Sequence, residues 1–206
     1  MTTAGCVQCG AALGMPPALC PACGALQPFR PELSLFAVLG LPETFAMDAA
    51  LLRERVFALQ KRLHPDRFAA ADAATRLRSL EWSTRLNEAF AVLRDPLRRA
   101  DYLLQRQGVT AMGEGARVAD TRLLMAQMEY RERLEDLAKR ADPAGLETLR
   151  GEIEQAASAV VERLHALLAS LPSREPEQAA AAVRELQFLH KLRQELESTE
   201  ETLQNR

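Results

Sequence analysis

The chain turns at Leu63-His64-Pro65-Asp66-Arg67-Phe68, a hexapeptide between two amphipathic segments. Pro65 forbids a continuous helix because it has no N–H group to donate and its ring clashes with the preceding turn. The residue before a proline is driven out of the α region, so we expect His64 to be extended and presented to solvent. The tripeptide His64-Pro65-Asp66 therefore predicts a rigid turn that holds an imidazole and a carboxylate between two helices.

The composition of the 206 residues favours a globular, all-α protein. Hydrophobic residues make up 48% and charged residues 26%, whereas aromatic residues make up only 5%. Alanine, leucine, arginine and glutamate are frequent, and these residues favour helices over strands. The formal net charge of −2 gives no basis for general binding to nucleic acid or to membranes, so neither is expected as a partner.

Targeting and membrane signals are absent from the pattern. No apolar run approaches the roughly 20 residues of a spanning helix. The N-terminus lacks the basic region and apolar stretch of a secretory signal. We therefore expect a cytoplasmic location, with the mitochondrial matrix as the less favoured alternative.

The segments on either side of the turn have the periodicity of helices that pack on one face. Asp48 is a suitable N-cap for the first, whose apolar residues follow at helical spacing: Leu52, Val56, Leu59 and Leu63. The second is predicted over residues 73–94, and Asp95-Pro96 ends it. A further short helix is predicted over residues 97–105. These segments predict a compact helical domain over residues 33–107.

Three longer amphipathic helices are predicted in the second half. The first follows Asp120 as its cap, the second begins at Asp142-Pro143, and the third runs from about Glu177 to the C-terminus. Short connections between such helices predict a three-helix bundle over residues 117–206. Gly108, Gly113 and Gly115 mark the linker before it.

All four cysteines lie in two C-x-x-C-G turns within the first 23 residues: Cys6-Val7-Gln8-Cys9-Gly10 and Cys20-Pro21-Ala22-Cys23-Gly24. The glycine after each pair permits a left-handed backbone, which lets backbone N–H groups point at the sulfur atoms. Four thiolates suit a closed, tetrahedral, structural Zn²⁺ site. Iron and a redox-active dithiol pair are the less favoured alternatives. Residues 1–30 are too few to build an apolar core, so their folding is expected to depend on the metal.

The sequence contains two candidate functional surfaces, and the first is the His64-Pro65-Asp66 turn. His64 and Asp66 could form an acid–base pair, but no orienting group or glycine-rich cleft accompanies them, so a docking turn is favoured over catalysis. Arg53, Lys61, Arg62 and Arg67 flank the turn, either as a solvated face or as part of a binding surface.

In the first helix of the bundle, the apolar residues Leu124, Met125 and Met128 beside Glu129 and Glu132 predict either core packing or an exposed protein-binding patch. Phe188 lies off the leucine stripe of the last helix and is predicted to be exposed.

Three stretches together resemble a J-domain: Leu35-Phe36-Ala37-Val38-Leu39-Gly40, Leu63-His64-Pro65-Asp66-Arg67-Phe68, and Leu86-Asn87-Glu88-Ala89-Phe90-Ala91-Val92-Leu93. Two further stretches are similar to the HscB branch: Asp95-Pro96-Leu97-Arg98-Arg99-Ala100-Asp101-Tyr102-Leu103-Leu104, and Leu123-Leu124-Met125-Ala126-Gln127-Met128-Glu129-Tyr130-Arg131-Glu132-Arg133-Leu134. The resemblance covers residue 33 to the C-terminus. The tetracysteine segment departs from the familiar bacterial form and resembles the head of mitochondrial and some other relatives.

The resemblance implies a non-enzymatic co-chaperone of iron–sulfur cluster assembly. Its J-domain would stimulate the ATPase of HscA, a DnaK-type chaperone, through His64, Pro65, Asp66 and the neighbouring basic face. Its C-terminal bundle would bind the scaffold protein IscU through matching positions: Leu124, Met125, Met128, Glu129, Glu132 and Phe188. Two alternatives stay open, namely a J-domain protein that recruits another client, and a zinc-dependent redox or metal-transfer protein led by the cysteines.

Overall fold

The computed structural model describes residues 5–15, 17–112 and 121–204, and these residues are helical apart from the cysteine-containing segment and the loops. Isolated bridges, Gly5 to Ala12 and Leu19 to Leu26, are the nearest approach to strands within those ranges. The predicted all-α fold is therefore confirmed. The helices are α1 (Leu35–Leu39), α2 (Ala49–Leu63), α3 (Ala73–Leu93), α4 (Pro96–Gln105), α5 (Thr121–Arg140), α6 (Pro143–Leu167) and α7 (Pro176–Gln204).

The chain forms two compact units, Met1–Asp95 and Pro96–Arg206. The first contains the cysteine segment and helices α1 to α3, and the second contains α4 to α7. Within the second unit α4 packs against α7. This packing differs from the sequence-based grouping of residues 97–105 with the preceding helices, and the proposed domain limits at 107 and 117 stay predictions.

In the first unit, α2 and α3 form a helical hairpin with α1 packed against both. Asp48 caps α2 as predicted, since its Oδ1 accepts hydrogen bonds from the backbone N–H groups of Ala50 and Leu51. The predicted apolar stripe of α2 is buried. Ser79 and Ser83 of α3 donate to the carbonyl of Leu63, so they satisfy a carbonyl that the end of α2 leaves free.

The cysteine segment packs on the same hairpin. Trp82 of α3 is fully buried, and its indole N–H donates to the carbonyl of Gln27 at 2.9 Å. Phe29 meets the Trp82 ring edge-to-face, with 5.4 Å between ring centroids. Burial of a large aromatic side chain with its polar atom satisfied is strongly stabilising. The segment therefore does not depend on its own few apolar side chains alone, because α3 supplies part of its core.

In the second unit, α5, α6 and α7 form the predicted bundle, and α6 and α7 share the most extensive interface. Its buried side chains include Leu149, Ile153, Leu164, Leu186 and Leu196. Asp142 caps α6 as predicted by accepting a hydrogen bond from the backbone N–H of Gly145. The predicted cap Asp120 and the linker residues Gly113 and Gly115 lie outside the described residues.

Candidate metal centre and docking surfaces

The two C-x-x-C-G segments fold into matching turns. In the first, the backbone N–H of Gly10 donates to the carbonyl of Cys6, and the Cys6 N–H donates to Ala11. Cys20, Gly24 and Ala25 repeat this pattern in the second turn. Gly10 and Gly24 both have φ of 72°, in the left-handed region that a side chain disfavours. The predicted role of these glycines is confirmed.

The turns bring the four sulfur atoms together. All four Sγ atoms lie within 4.8 Å of one another. The Sγ atoms of Cys6 and Cys23 are 3.6 Å apart, and those of Cys9 and Cys20 are 3.7 Å apart. A tetrahedral centre with metal–sulfur bonds of about 2.3 Å requires sulfur atoms about 3.8 Å apart. The four cysteines could therefore hold one tetrahedral metal ion without rearranging the backbone.

The protein environment favours negative charge at Cys6. Burial raises the pKa of this thiol, but hydrogen bonds from the backbone N–H groups of Cys9 and Gln8 and from neighbouring thiols lower it to about 6. At Cys23 a hydrogen bond from the backbone N–H of Ala25 lowers the pKa, whereas burial and the neighbouring cysteines raise it to about 12. A metal ion binds cysteine as the thiolate, so binding at this cluster would deprotonate the thiols and the ion would neutralise their charge.

Sequence reasoning missed Gln27, which contacts this centre. Its side-chain amide nitrogen lies 3.3 Å from the Sγ of Cys6 and donates to it. Nothing in the pattern marks a lone glutamine after the second turn, because its role depends on how the chain folds back.

The His64-Pro65-Asp66 turn is presented as predicted. His64 has φ −55° and ψ 132°, outside the α region, and Pro65–Phe68 form one turn of 3₁₀ helix in place of an irregular loop. The side chains of His64 and Asp66 are both exposed. The Nδ1 atom of His64 accepts a hydrogen bond from the backbone N–H of Asp66 at 3.3 Å, which fixes the imidazole ring relative to the turn.

Three basic residues lie close to this turn in sequence, Lys61, Arg62 and Arg67, and a fourth, Arg53, lies ten residues before the C-terminal end of α2. Arg53, Lys61, Arg62 and Arg67 are all exposed, and none forms an ion pair with another residue of the described ranges. Lys61 and Arg62 lie in the last turn of α2, where the helix dipole favours positive charge. Unpaired, exposed cations leave their charge available to an anionic partner.

An apolar groove adjoins the turn, and sequence reasoning missed it. The groove has a volume of about 630 Å³ and is lined by residues of α2, α3 and the turn, among them Phe57, His64, Pro65 and Leu80. The side chains of Phe57 and Leu80 are mostly exposed although they are large and apolar. Phe57 lies off the buried stripe of α2, which is the signal that could have identified it.

The first half of α5 carries the predicted apolar patch. Leu124, Met125 and Met128 are 44%, 67% and 64% exposed. Leu134, farther along α5, is the one buried residue of this helix. Glu129 and Glu132 are exposed beside the three apolar side chains. Core packing of these residues is therefore wrong and their exposure is confirmed, whereas the binding of a protein by the patch stays a prediction.

The predicted exposure of Phe188 is wrong. Its side chain is only 8% exposed, and its ring packs 6.2 Å from that of Tyr130 on α5. The leucine stripe of α7 faces α6, but α5 covers a second face of α7, and Phe188 lies on that face. A contribution of Phe188 to scaffold binding therefore stays a prediction, and any such contribution acts largely through support of α5.

Comparison with known proteins gives the family. A model of the HSCB C-terminal oligomerisation domain matches residues 119–197. A co-chaperone protein HscB homolog of Bordetella pertussis is 41% identical over 165 residues, which cover 80% of this chain and 95% of that protein. The chain belongs to the HscB co-chaperone family. The HscB homolog of Photobacterium profundum is 40% identical over 168 residues, with 81% and 96% of the two chains covered.

Solved HscB structures agree with this assignment. The chaperone HscB of Vibrio cholerae superposes with a TM-score of 0.72 at 38% identity, covering 83% of this chain and 99% of that one. The human co-chaperone HscB reaches a TM-score of 0.80 at 23% identity, covering 94% and 96% of the two chains, and it supports the fold alone. In the described residues, no helix combines the length and apolar character needed to cross a membrane.

Proposed function

We propose that this HscB-family protein stimulates the ATPase of a DnaK-type chaperone, HscA, and delivers the iron–sulfur scaffold protein IscU to it. It performs no chemistry itself. The observation that carries the proposal is the exposed His64-Pro65-Asp66 turn, held between two packed helices with its imidazole fixed by a hydrogen bond.

The surroundings of the turn suit a protein partner better than a small substrate. Arg53, Lys61, Arg62 and Arg67 offer unpaired positive charge for steering an acidic surface. The groove beside Phe57 and Leu80 offers apolar area that a partner side chain could fill. A charged rim beside an apolar centre is the usual composition of a protein interface.

The second docking surface lies on α5. Leu124, Met125 and Met128 form an apolar centre, and the carboxylates of Glu129 and Glu132 border it. Methionine side chains adapt to the shape of a partner, so they are favoured at protein-binding surfaces. We assign this surface to the scaffold protein, whose delivery to the chaperone requires a site separate from the His64-Pro65-Asp66 turn.

The metal of the tetracysteine centre is proposed to be Zn²⁺ in a structural role. Cys6, Cys9, Cys20 and Cys23 would hold it. Four thiolates complete a tetrahedral shell and leave no position for a substrate. When bound, the ion neutralises the thiolates and cross-links the two turns.

The decisive experiment measures the steady-state ATPase rate of HscA with the wild-type chain and with a His64→Gln variant, each with and without IscU. The His64 side chain is exposed, and its Nδ1 lies 3.3 Å from the backbone nitrogen and 3.4 Å from the carboxylate of exposed Asp66, so the substitution is expected to change stability by less than about 0.5 kcal/mol. We expect stimulation by the wild-type chain and at least tenfold less by His64→Gln. Equal stimulation by both chains, or none by the wild type, would contradict the proposal.

A further inference from the structure

Gln27 uses every polar group it has, although it is only 2% exposed. Its backbone N–H donates to Ala18 at 2.8 Å, and its carbonyl accepts from the indole of Trp82 at 2.9 Å. The side-chain Nε2 donates to the Sγ of Cys6 at 3.3 Å and to the carbonyl of Ala25 at 2.7 Å. The side-chain Oε1 accepts from the backbone N–H of Val7 at 3.1 Å.

The neighbours fix the orientation of this amide. The Val7 N–H can only donate, and the Ala25 carbonyl can only accept, so Oε1 must face Val7 and Nε2 must face Ala25. The reversed amide would place two donors against each other at Val7 and two acceptors against each other at Ala25. An N–H group of Gln27 is therefore directed at the sulfur of Cys6.

A hydrogen bond to a ligating thiolate changes the metal site. It stabilises the negative charge on sulfur and holds the ligand in place before the ion binds. Cys6 is one of the two buried cysteines, so water reaches its sulfur poorly and the protein must supply this hydrogen bond. The backbone N–H of Gln8 supplies one such bond from within the first turn, and Gln27 supplies another from outside the two cysteine turns.

The other end of Gln27 lies on the helical hairpin. Its carbonyl receives the indole N–H of Trp82, which anchors the cysteine segment to α3. The same helix contributes Ser79 and Ser83, whose hydroxyls donate to the carbonyl of Leu63 at 2.7 and 3.1 Å. Leu63 directly precedes His64, so one continuous set of hydrogen-bonded and packed groups runs from the sulfur of Cys6 to the turn.

We propose that Gln27 is a positioning residue that joins the metal centre to the J-domain. Its amide holds the Cys6 thiolate for the ion, and its carbonyl holds Trp82, so metal binding stabilises the hairpin that carries the His64-Pro65-Asp66 turn. The inference rests on the proposed metal-binding role of the cysteines.

Cobalt(II) titration of the full-length chain tests the amide contact. Gln27→Met keeps the length of the side chain and removes its hydrogen bonds. We expect this variant to bind cobalt about 10- to 100-fold more weakly than the wild type. At saturating cobalt, its thiolate-to-metal charge-transfer band is expected at lower energy, because the Cys6 sulfur has lost a hydrogen bond. If Gln27 had only a structural role, the variant would bind cobalt more weakly, but the energy of the charge-transfer band at saturation would equal that of the wild type.

Trp82 is the only tryptophan of the chain, so its fluorescence reports on the hydrogen bond between its indole and the carbonyl of Gln27. We expect metal binding to shift the emission of the wild type, and to shift that of Gln27→Met less at the same occupancy. The matched control is Gln8→Met, since Gln8 is exposed and only its backbone N–H donates to Cys6. It should behave as the wild type in both measurements.

A second variant keeps the test decisive if Gln27→Met fails to fold. Gln27→Glu can still accept from Val7 but offers an acceptor to the Cys6 sulfur, so weaker binding and the same shift in band energy are expected. A wild-type chain without cobalt–thiolate bands would refute the metal centre itself. Wild-type affinity and band energy in folded Gln27→Met or Gln27→Glu would refute only the role of Gln27.

Discussion

The apolar patch of α5 allows a quantitative prediction for scaffold binding. The perturbation is the triple variant Leu124→Ala, Met125→Ala and Met128→Ala. Complete burial of a leucine or methionine side chain is worth about 1.5–3 kcal/mol. Scaled by the exposed fractions of 44%, 67% and 64%, cover by a partner is worth about 3–5 kcal/mol in total. We therefore expect the Kd for IscU to rise by roughly a hundredfold or more.

The fold should survive this change, because Met125 and Met128 are mostly exposed, Leu124 is 44% exposed, and alanine favours helix. Phe188→Ala is unsuitable in the same variant. Its side chain is 8% exposed, so truncation would leave a cavity that costs about 3–5 kcal/mol of stability and would obscure the effect on binding.

The assay is isothermal titration calorimetry of IscU into the full-length chain, with circular dichroism to check the fold. The control is the double variant Leu77→Ala and Met15→Ala, which removes a similarly exposed leucine and methionine from the first unit. The control should bind IscU as the wild type does. If the triple variant were folded and its Kd stayed within threefold of the wild type, the assignment of this patch would be wrong.

Two further predictions concern metal removal and pH. Chelation of the metal should expose residues 5–27 to protease while α2 and α3 stay resistant, because the cross-link between the two cysteine turns is lost. Limited proteolysis with mass spectrometry checks this, and an equally resistant segment would contradict it. Burial raises the pKa of Asp101, and a hydrogen bond from Gln105 opposes this shift. The folded state therefore binds the proton more tightly than the unfolded state does. As pH rises through the folded pKa, the ionised carboxylate lowers the stability of the fold. Asp101→Asn should therefore raise the thermal midpoint at pH 7 and lose that advantage near pH 3.5; an unchanged or lower midpoint at pH 7 would contradict this reasoning.

Local patterns were sufficient for much of the first unit. Asp48, the stripe from Leu52 to Leu63, and the break at Pro65 act within a few residues, so they specify α2 and the turn without reference to the rest of the chain. The two C-x-x-C-G turns are equally local, and both form with left-handed glycines. Such features follow from spacing because the partners of each group lie close in sequence.

Residues whose partners lie far away in sequence could not be assigned in the same way. Phe188 was expected on the surface, since its position off the leucine stripe does not show that α5 covers a second face of α7. Helix α4 follows α3 directly, yet its apolar side packs on α7. Phe57 has the same off-stripe position on α2 as Phe188 on α7, but nothing in the first unit covers it within the described residues.

The sequence by itself determined the helices, the cysteine turns and the presented His64-Pro65-Asp66 turn, because backbone sterics and helical periodicity act over a few residues. Only the tertiary structure decided which apolar side chains of α5 and α7 remain exposed, since exposure depends on the helices packed around each position. It also decided that Gln27 spans the distance between Cys6 and Trp82. The contact between Gln27 and Cys6 spans 21 positions of sequence, and the contact between Gln27 and Trp82 spans 55. Only the fold brings both partners to one residue.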